Sequence, residues 1–128
     1  MKKVLLWLWQ LPQNILGLLV ILFTGAHHTI LNWEWIASKW PHFGVALGNY
    51  IIFGGAGGSV DSLKHEQGHQ KQSVYLGPLY LIVIGLPSVA GNIYDRIAHR
   101  KWDFQSRYYW YYKLPWEAWA DKLGGVTR

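Results

Sequence analysis

Two long stretches of the chain, residues 4–25 and 73–94, carry no charged side chain, and the polar residues with chemical potential lie between them or after them. The first stretch is long enough to span a bilayer, since about 20 apolar residues suffice for a helix. Gln10, Pro12, Gln13 and Asn14 interrupt it, which predicts a kink near Pro12. Those polar side chains must then face protein or a wet cavity, because hydrocarbon does not tolerate them. Lys2-Lys3 ahead of an apolar run also has the shape of a secretory signal. The polar interruption and the poor cleavage site at His27-His28 favour an uncleaved membrane helix over residues 1–25.

After it, residues 29–36 and 45–53 mix β-branched and aromatic positions on either side of Pro41, a pattern that predicts two strands. Gly54-Gly55-Ala56-Gly57-Gly58 reads as a flexible loop. It lacks the Gly-Lys-Ser/Thr ending of a phosphate-binding loop. Ser59 or Asp61 is placed to cap a following helix, Asp61 also complementing its positive end. In the second apolar stretch, Gly85 and Pro87 predict a break. Residues 74–95 are then two short helices folded on each other, and 26–128 form one domain containing that hairpin. The tail from Arg96 is basic and aromatic, including Tyr108-Tyr109-Trp110-Tyr111-Tyr112.

The helix after the glycine loop holds His65-Glu66-Gln67-Gly68-His69, an HExxH pattern. Residues four apart share one helix face, so both imidazoles can reach a single Zn²⁺. Glu66, beside the first of them, is positioned to take a proton from the ion's bound water. The alternative is a solvated polar helix face. Composition narrows the chemistry. Cysteine is absent, so any metal is held by histidine and carboxylate. The net charge of +5 comes from scattered basic residues, which suits an anionic membrane surface better than nucleic acid. Nine Trp and eight Tyr in 128 residues point the same way, as interfacial anchors or a very aromatic core.

A catalytic zinc takes three protein ligands and keeps one open position. The third is sought in Pro115-Trp116-Glu117-Ala118-Trp119-Ala120-Asp121, where Pro115 suits a first helical turn and Gly124-Gly125 its end. Glu117 and Asp121 project from one face. Glu117 is the candidate ligand, and Asp121 the carboxylate that accepts the outer N–H of a ligand histidine. Ala120 and Gly68 are small enough to let the two helices approach closely, which accounts for a glycine where a helix loses about 1 kcal/mol relative to alanine. The alternative is a surface helix with ordinary carboxylates.

HExGH, an apolar stretch, then ExxAD followed by Lys-Leu-Gly resembles the gluzincin metallopeptidases. It is most similar to the membrane-embedded branch, typified by the CAAX prenyl endoprotease and HtpX families, and in size to the soluble minigluzincins. The resemblance covers residues about 43–125. It implies His65, His69 and Glu117 as zinc ligands, Glu66 as general base, and Asp121 as the supporting carboxylate. It also implies an edge strand before the HExxH helix, along which extended substrate adds; residues 45–53 fit that place. The chain departs from the membrane members in having too few residues between His69 and Glu117 for two full crossings, which need about 40. One crossing would separate the ligands, so residues 74–95 are expected to form either a shallow re-entrant hairpin or a hairpin buried in the core. No oxyanion-stabilising residue stands out; Tyr108, Tyr109, Tyr111, His99 and Arg107 are the candidates. His27, His28 and His42 are better read as interfacial or loop residues than as ligands, and Gln72-Ser73 as packing or hydrogen-bonding near the site.

The expectation is an α+β protein: an N-terminal membrane helix, a small β-sheet with an edge strand, the HExxH helix, an apolar helical hairpin and a C-terminal glutamate helix. Functionally it reads as a membrane-associated zinc metalloendopeptidase with one Zn²⁺ per chain, a peptide or protein substrate and a lipid bilayer as partner. Its location is a membrane, such as a bacterial inner membrane. Nucleic acid is not expected, and oligomeric state is left open. The rival is a non-catalytic membrane protein with structural zinc, or a peptide-binding pseudoprotease.

Overall fold

The computed structural model describes residues 1–29, 34–55 and 58–128. The fold is mixed α+β, with six α-helices and a four-stranded sheet among those residues. The N-terminal apolar stretch forms two helices, α1 (Lys2–Trp9) and α2 (Leu11–Thr24), bent by 84°. The break falls at Gln10, and Pro12 sits in the first turn of α2, where its missing N–H costs nothing. The kink expected near Pro12 is thus a full break at Gln10, and the helix expected over residues 1–25 is two. The interrupting polar residues explain the bend, because they are buried against protein. Gln10, Gln13 and Asn14 are 2%, 0% and 0% exposed.

The expected strands are each two. At the first, β1 (His27–Thr29) and β2 (Glu34–Ala37) form an antiparallel pair, with His28 opposite Trp35. Positions 30–33 of the expected first strand lie outside the described residues, as do Ala56 and Gly57 of the glycine loop. The second expected strand is a tight hairpin of β3 (Gly44–Leu47) and β4 (Tyr50–Gly54), turned at Gly48-Asn49. Gly48 takes φ +64, and a β-carbon there would lie 2.1 Å from Asn14 Oδ1. That same oxygen accepts the Asn49 N–H at 2.7 Å, so α2 holds the turn. Strand order is β1-β2-β4-β3, with β2 and β4 parallel, which leaves β3 on an edge.

Alternation along β4 supplies both faces of the sheet. Ile52, with Leu47, packs on Ile21 of α2, while Ile51 and Phe53 join Ala46 and Leu63 on the other face. Leu63 belongs to α3 (Val60–Leu76), whose N-terminus is capped by Ser59 Oγ accepting the Ser62 N–H. Asp61 lies in the first turn.

The expected hairpin broken at Gly85-Leu86-Pro87 does not form. From Gly77 the chain runs helically through a 3₁₀ turn (Gly77–Leu79) and a π turn (Leu81–Gly85) into α4 (Leu86–Ala98). The wide turn relieves what Pro87 would otherwise do to a regular helix, where its ring meets the carbonyl four residues back. The sharp change of direction comes earlier, at Gly77 (φ +55), where a side chain would collide with the Trp9 ring. The return towards α3 is made by α5 (Phe104–Tyr112), which pairs with α4 through stacked Tyr94 and Trp110 and through Arg107 on Asp95. Leu81–Ala98 is the one helix among the described residues long and apolar enough, by length and composition, to cross a membrane. The bent α1–α2 pair meets that test only taken together.

The C-terminal helix α6 (Pro115–Gly124) lies directly on α3. A β-carbon on Gly68 would fall 1.8 Å from the Ala120 carbonyl oxygen, and one on Gly124 would fall 1.9 Å from that of Lys64. The two backbones therefore touch at two points. Gly68→Ala is expected to lower unfolding free energy by about 1–3 kcal/mol or more through forced separation of these helices, despite alanine's better helix propensity. Urea denaturation checks this; unchanged or increased stability would contradict the contact.

Candidate metal centre

Helices α3 and α6 bring His65, His69 and Glu117 together as one buried group. His65 Nε2, His69 Nε2 and Glu117 Oε2 lie 3.1 Å from one another on all three sides. Ligand atoms around a tetrahedral ion with bonds of 2.0–2.1 Å stand roughly 3.3 Å apart, so the triangle fits a small divalent cation. Two imidazole nitrogens and one carboxylate oxygen are also a donor set suited to a metal ion. Among the described residues no fourth histidine or carboxylate joins the group.

Each imidazole is fixed from its far side. Asp121 Oδ1 accepts from His65 Nδ1 at 2.7 Å, and Gln72 Oε1 accepts from His69 Nδ1 at 2.7 Å. Gln72 is itself held, its Nε2 donating to the Trp116 carbonyl at 2.9 Å. With a metal in place of the proton shared at the centre, each ring would keep its proton on Nδ1 and turn its Nε2 lone pair inward. Asp121 is gripped in turn by Arg128, whose Nε donates to Oδ2 at 2.6 Å and Nη2 to Oδ1 at 3.0 Å. The Arg128 guanidinium lies 3.5 Å over the Tyr112 ring, and Tyr112 meets His65 edge-on at 5.0 Å.

Burial and charge set the protonation states without a metal. Burial opposes charging of His69, but its contact with Glu117 and the nearby Glu66 carboxylate push it up to about 9. Burial also works against the Glu117 carboxylate, yet the two histidines and Ser88 hold it well below the usual range. Glu66 moves upward, chiefly because it is buried. Its Oε2 is buried without a hydrogen-bond partner. A buried orphan acceptor one residue from a ligand is costly to keep unless something polar occupies the space it faces. The start of edge strand β3 is close by, a β-carbon on Gly44 coming within 3.3 Å of Glu66 Oε1. That edge is only partly open: Ala46 is buried and its carbonyl accepts the Tyr80 hydroxyl at 3.1 Å.

The other candidates divide. Tyr111 reaches the group, its hydroxyl donating to Glu117 Oε1 at 3.0 Å. Tyr108 instead contacts Arg128 through its hydroxyl, and Tyr109 is 48% exposed. His99 and Arg107 belong elsewhere. His99 Nδ1 pairs with Asp95 Oδ1 at 3.0 Å, Arg107 reaches Asp95 Oδ2 at 2.8 Å, and the imidazole stacks on Trp102 at 3.7 Å. Neither joins the His65–His69–Glu117 group. Sequence reading missed Ser88, Tyr112 and Arg128, whose positions depend on how α4, α5 and the tail fold back.

No family model, curated protein or solved structure matches the chain. The chemistry therefore rests on the geometry of the group itself. Asp121→Asn is expected to weaken divalent-metal affinity about 10–100-fold while leaving the stoichiometry intact, because it loosens His65 without removing a ligand. Competition against a chelator measures this, and native affinity in the variant would show that Asp121 does not orient the ring.

Proposed function

We propose that the chain is a membrane-associated zinc metalloendopeptidase. The observation that carries this is the triangle of His65, His69 and Glu117 ligand atoms, with Glu66 alongside and its outer oxygen unpartnered. Two histidines and a glutamate are a ligand set of hydrolytic zinc sites, and the absence of a fourth donor among the described residues favours an open position over a structural site. Zinc held by these three would supply Lewis acidity, which polarises a peptide carbonyl and makes water easier to deprotonate into a nucleophile. Glu66 takes the proton of the attacking water and passes it to the leaving amine. Extended substrate lies along the open half of β3, at Gly44-Val45, where backbone pairing delivers a carbonyl beside Glu66.

Membrane association is supported by the outer surface of the apolar helix. Ile82, Leu86, Val89, Ile93 and Ile97 recur at helical spacing and are each more than half exposed. Arg96, Arg100, Lys101 and Trp102 cluster at its end, where cations and an indole suit an anionic headgroup layer.

Native protein is expected to hold one Zn²⁺ per chain by elemental analysis, and Glu117→Ala to lose it. Glu66→Gln should retain zinc yet lose peptide hydrolysis by at least about 100-fold. Normal cleavage by that variant would remove Glu66 from the reaction. Sedimentation with anionic vesicles should carry the native chain down and leave Leu86→Glu/Ile93→Glu largely in solution; equal sedimentation would place membrane contact elsewhere.

A further inference from the structure

The two oxygens of Glu117 are used differently. Oε2 faces His65 and His69, while Oε1 accepts the Ser88 hydroxyl at 2.5 Å and the Tyr111 hydroxyl at 3.0 Å. A carboxylate oxygen offers two lone-pair sites, so two hydroxyl donors saturate Oε1. Glu117 is 0% exposed, so bulk solvent does not reach that oxygen. The donors come from separate helices, Ser88 from α4 and Tyr111 from α5, so three elements converge on one carboxylate. Ser88 reaches it because of the π turn at Leu81–Gly85. One extra residue in a turn rotates everything after it by about 100° relative to a regular helix. That rotation aims Ser88 inward while Leu86 and Val89 on either side face out, 65% and 56% exposed.

We propose that Ser88 and Tyr111 are positioning residues that keep Glu117 a one-oxygen ligand, so that a metal held with His65 and His69 retains its open position. A carboxylate free at both oxygens can chelate through both and fill the place that water needs; one whose outer oxygen is saturated cannot. Ser88 and Tyr111 both bond the outer oxygen of Glu117, not the one turned to the histidines. They act through Glu117, and they do so with hydroxyl protons alone, so each can be removed at nearly constant shape. This rests on His65, His69 and Glu117 being metal ligands.

Co²⁺ serves as the probe, because its visible absorption is strong in four-coordinate sites and weak in five- or six-coordinate ones. The full chain is titrated with Co²⁺ as native protein, Ser88→Ala, Tyr111→Phe, the double variant and Ser88→Thr, with folding followed by circular dichroism. The native chain is expected to give the intense four-coordinate spectrum, retained by Ser88→Thr. Each single variant loses part of that intensity and the double variant most of it, still at one Co²⁺ per chain. The single variants decide the matter if the double variant fails to fold. Binding with the native spectrum in the singles and the double would overturn the proposal and leave the metal site standing. Failure of the native chain to bind Co²⁺ would overturn the metal site, and this proposal with it.

Discussion

Everything chemical in this protein depends on two helices whose backbones touch. Gly68 against Ala120 and Gly124 against Lys64 bring α3 and α6 closer than side chains ordinarily allow. Only at that separation can Glu117 on one helix reach histidines on the other, and Asp121, one turn further on, reach the far nitrogen of His65. Larger residues at the crossing would push the carboxylate out of ligand distance before altering any ligand. Other elements serve this contact. The sheet supports α3 from beneath through Leu63, Gln72 ties α3 to the Trp116 carbonyl, and Lys71 donates to the Leu123 carbonyl at the other end of α6.

Around the crossing, polar groups are layered by distance from the centre. Three candidate ligand atoms face inward, and behind them Asp121, Gln72, Ser88 and Tyr111 each hold another atom of the residues that carry them. Behind Asp121 stands Arg128. Buried polar networks are stable only when nearly every member is satisfied, and here the conspicuous exception is Glu66 Oε2. Its unpartnered state beside an otherwise saturated group is what singles out Glu66 for the role proposed for it.

The sequence was most readable where spacing alone determines geometry. Histidines four apart, carboxylates four apart, and a glycine facing a small residue all follow from helical periodicity. It was least readable where backbone detail decides direction. Gly85 and Pro87 look like a break, yet a single π turn absorbs the proline and keeps one helix, and that register brings Ser88 to Glu117. The strand expected over 45–53 turns back at Gly48 because Asn14, 35 residues away in sequence but close in space, accepts the Asn49 N–H. His99 and Arg107 looked available because sequence cannot show that Asp95, with surrounding indoles, already occupies them.

The N-terminal helices carry one more consequence. Gln13 donates to both Ser73 Oγ and the Gly77 carbonyl, Ser73 donates to Gln10, and the Trp9 indole donates to the Val74 carbonyl while its ring fills the space beside Gly77. These bonds close the last turn of the same helix that carries His65 and His69. The first two dozen residues are thus not a detachable tether but the plug for one end of the HExxH helix. A force applied to them, for instance by a fused neighbour, is transmitted along a single rigid rod to His69 and His65, about one and about two turns from Ser73 where it arrives.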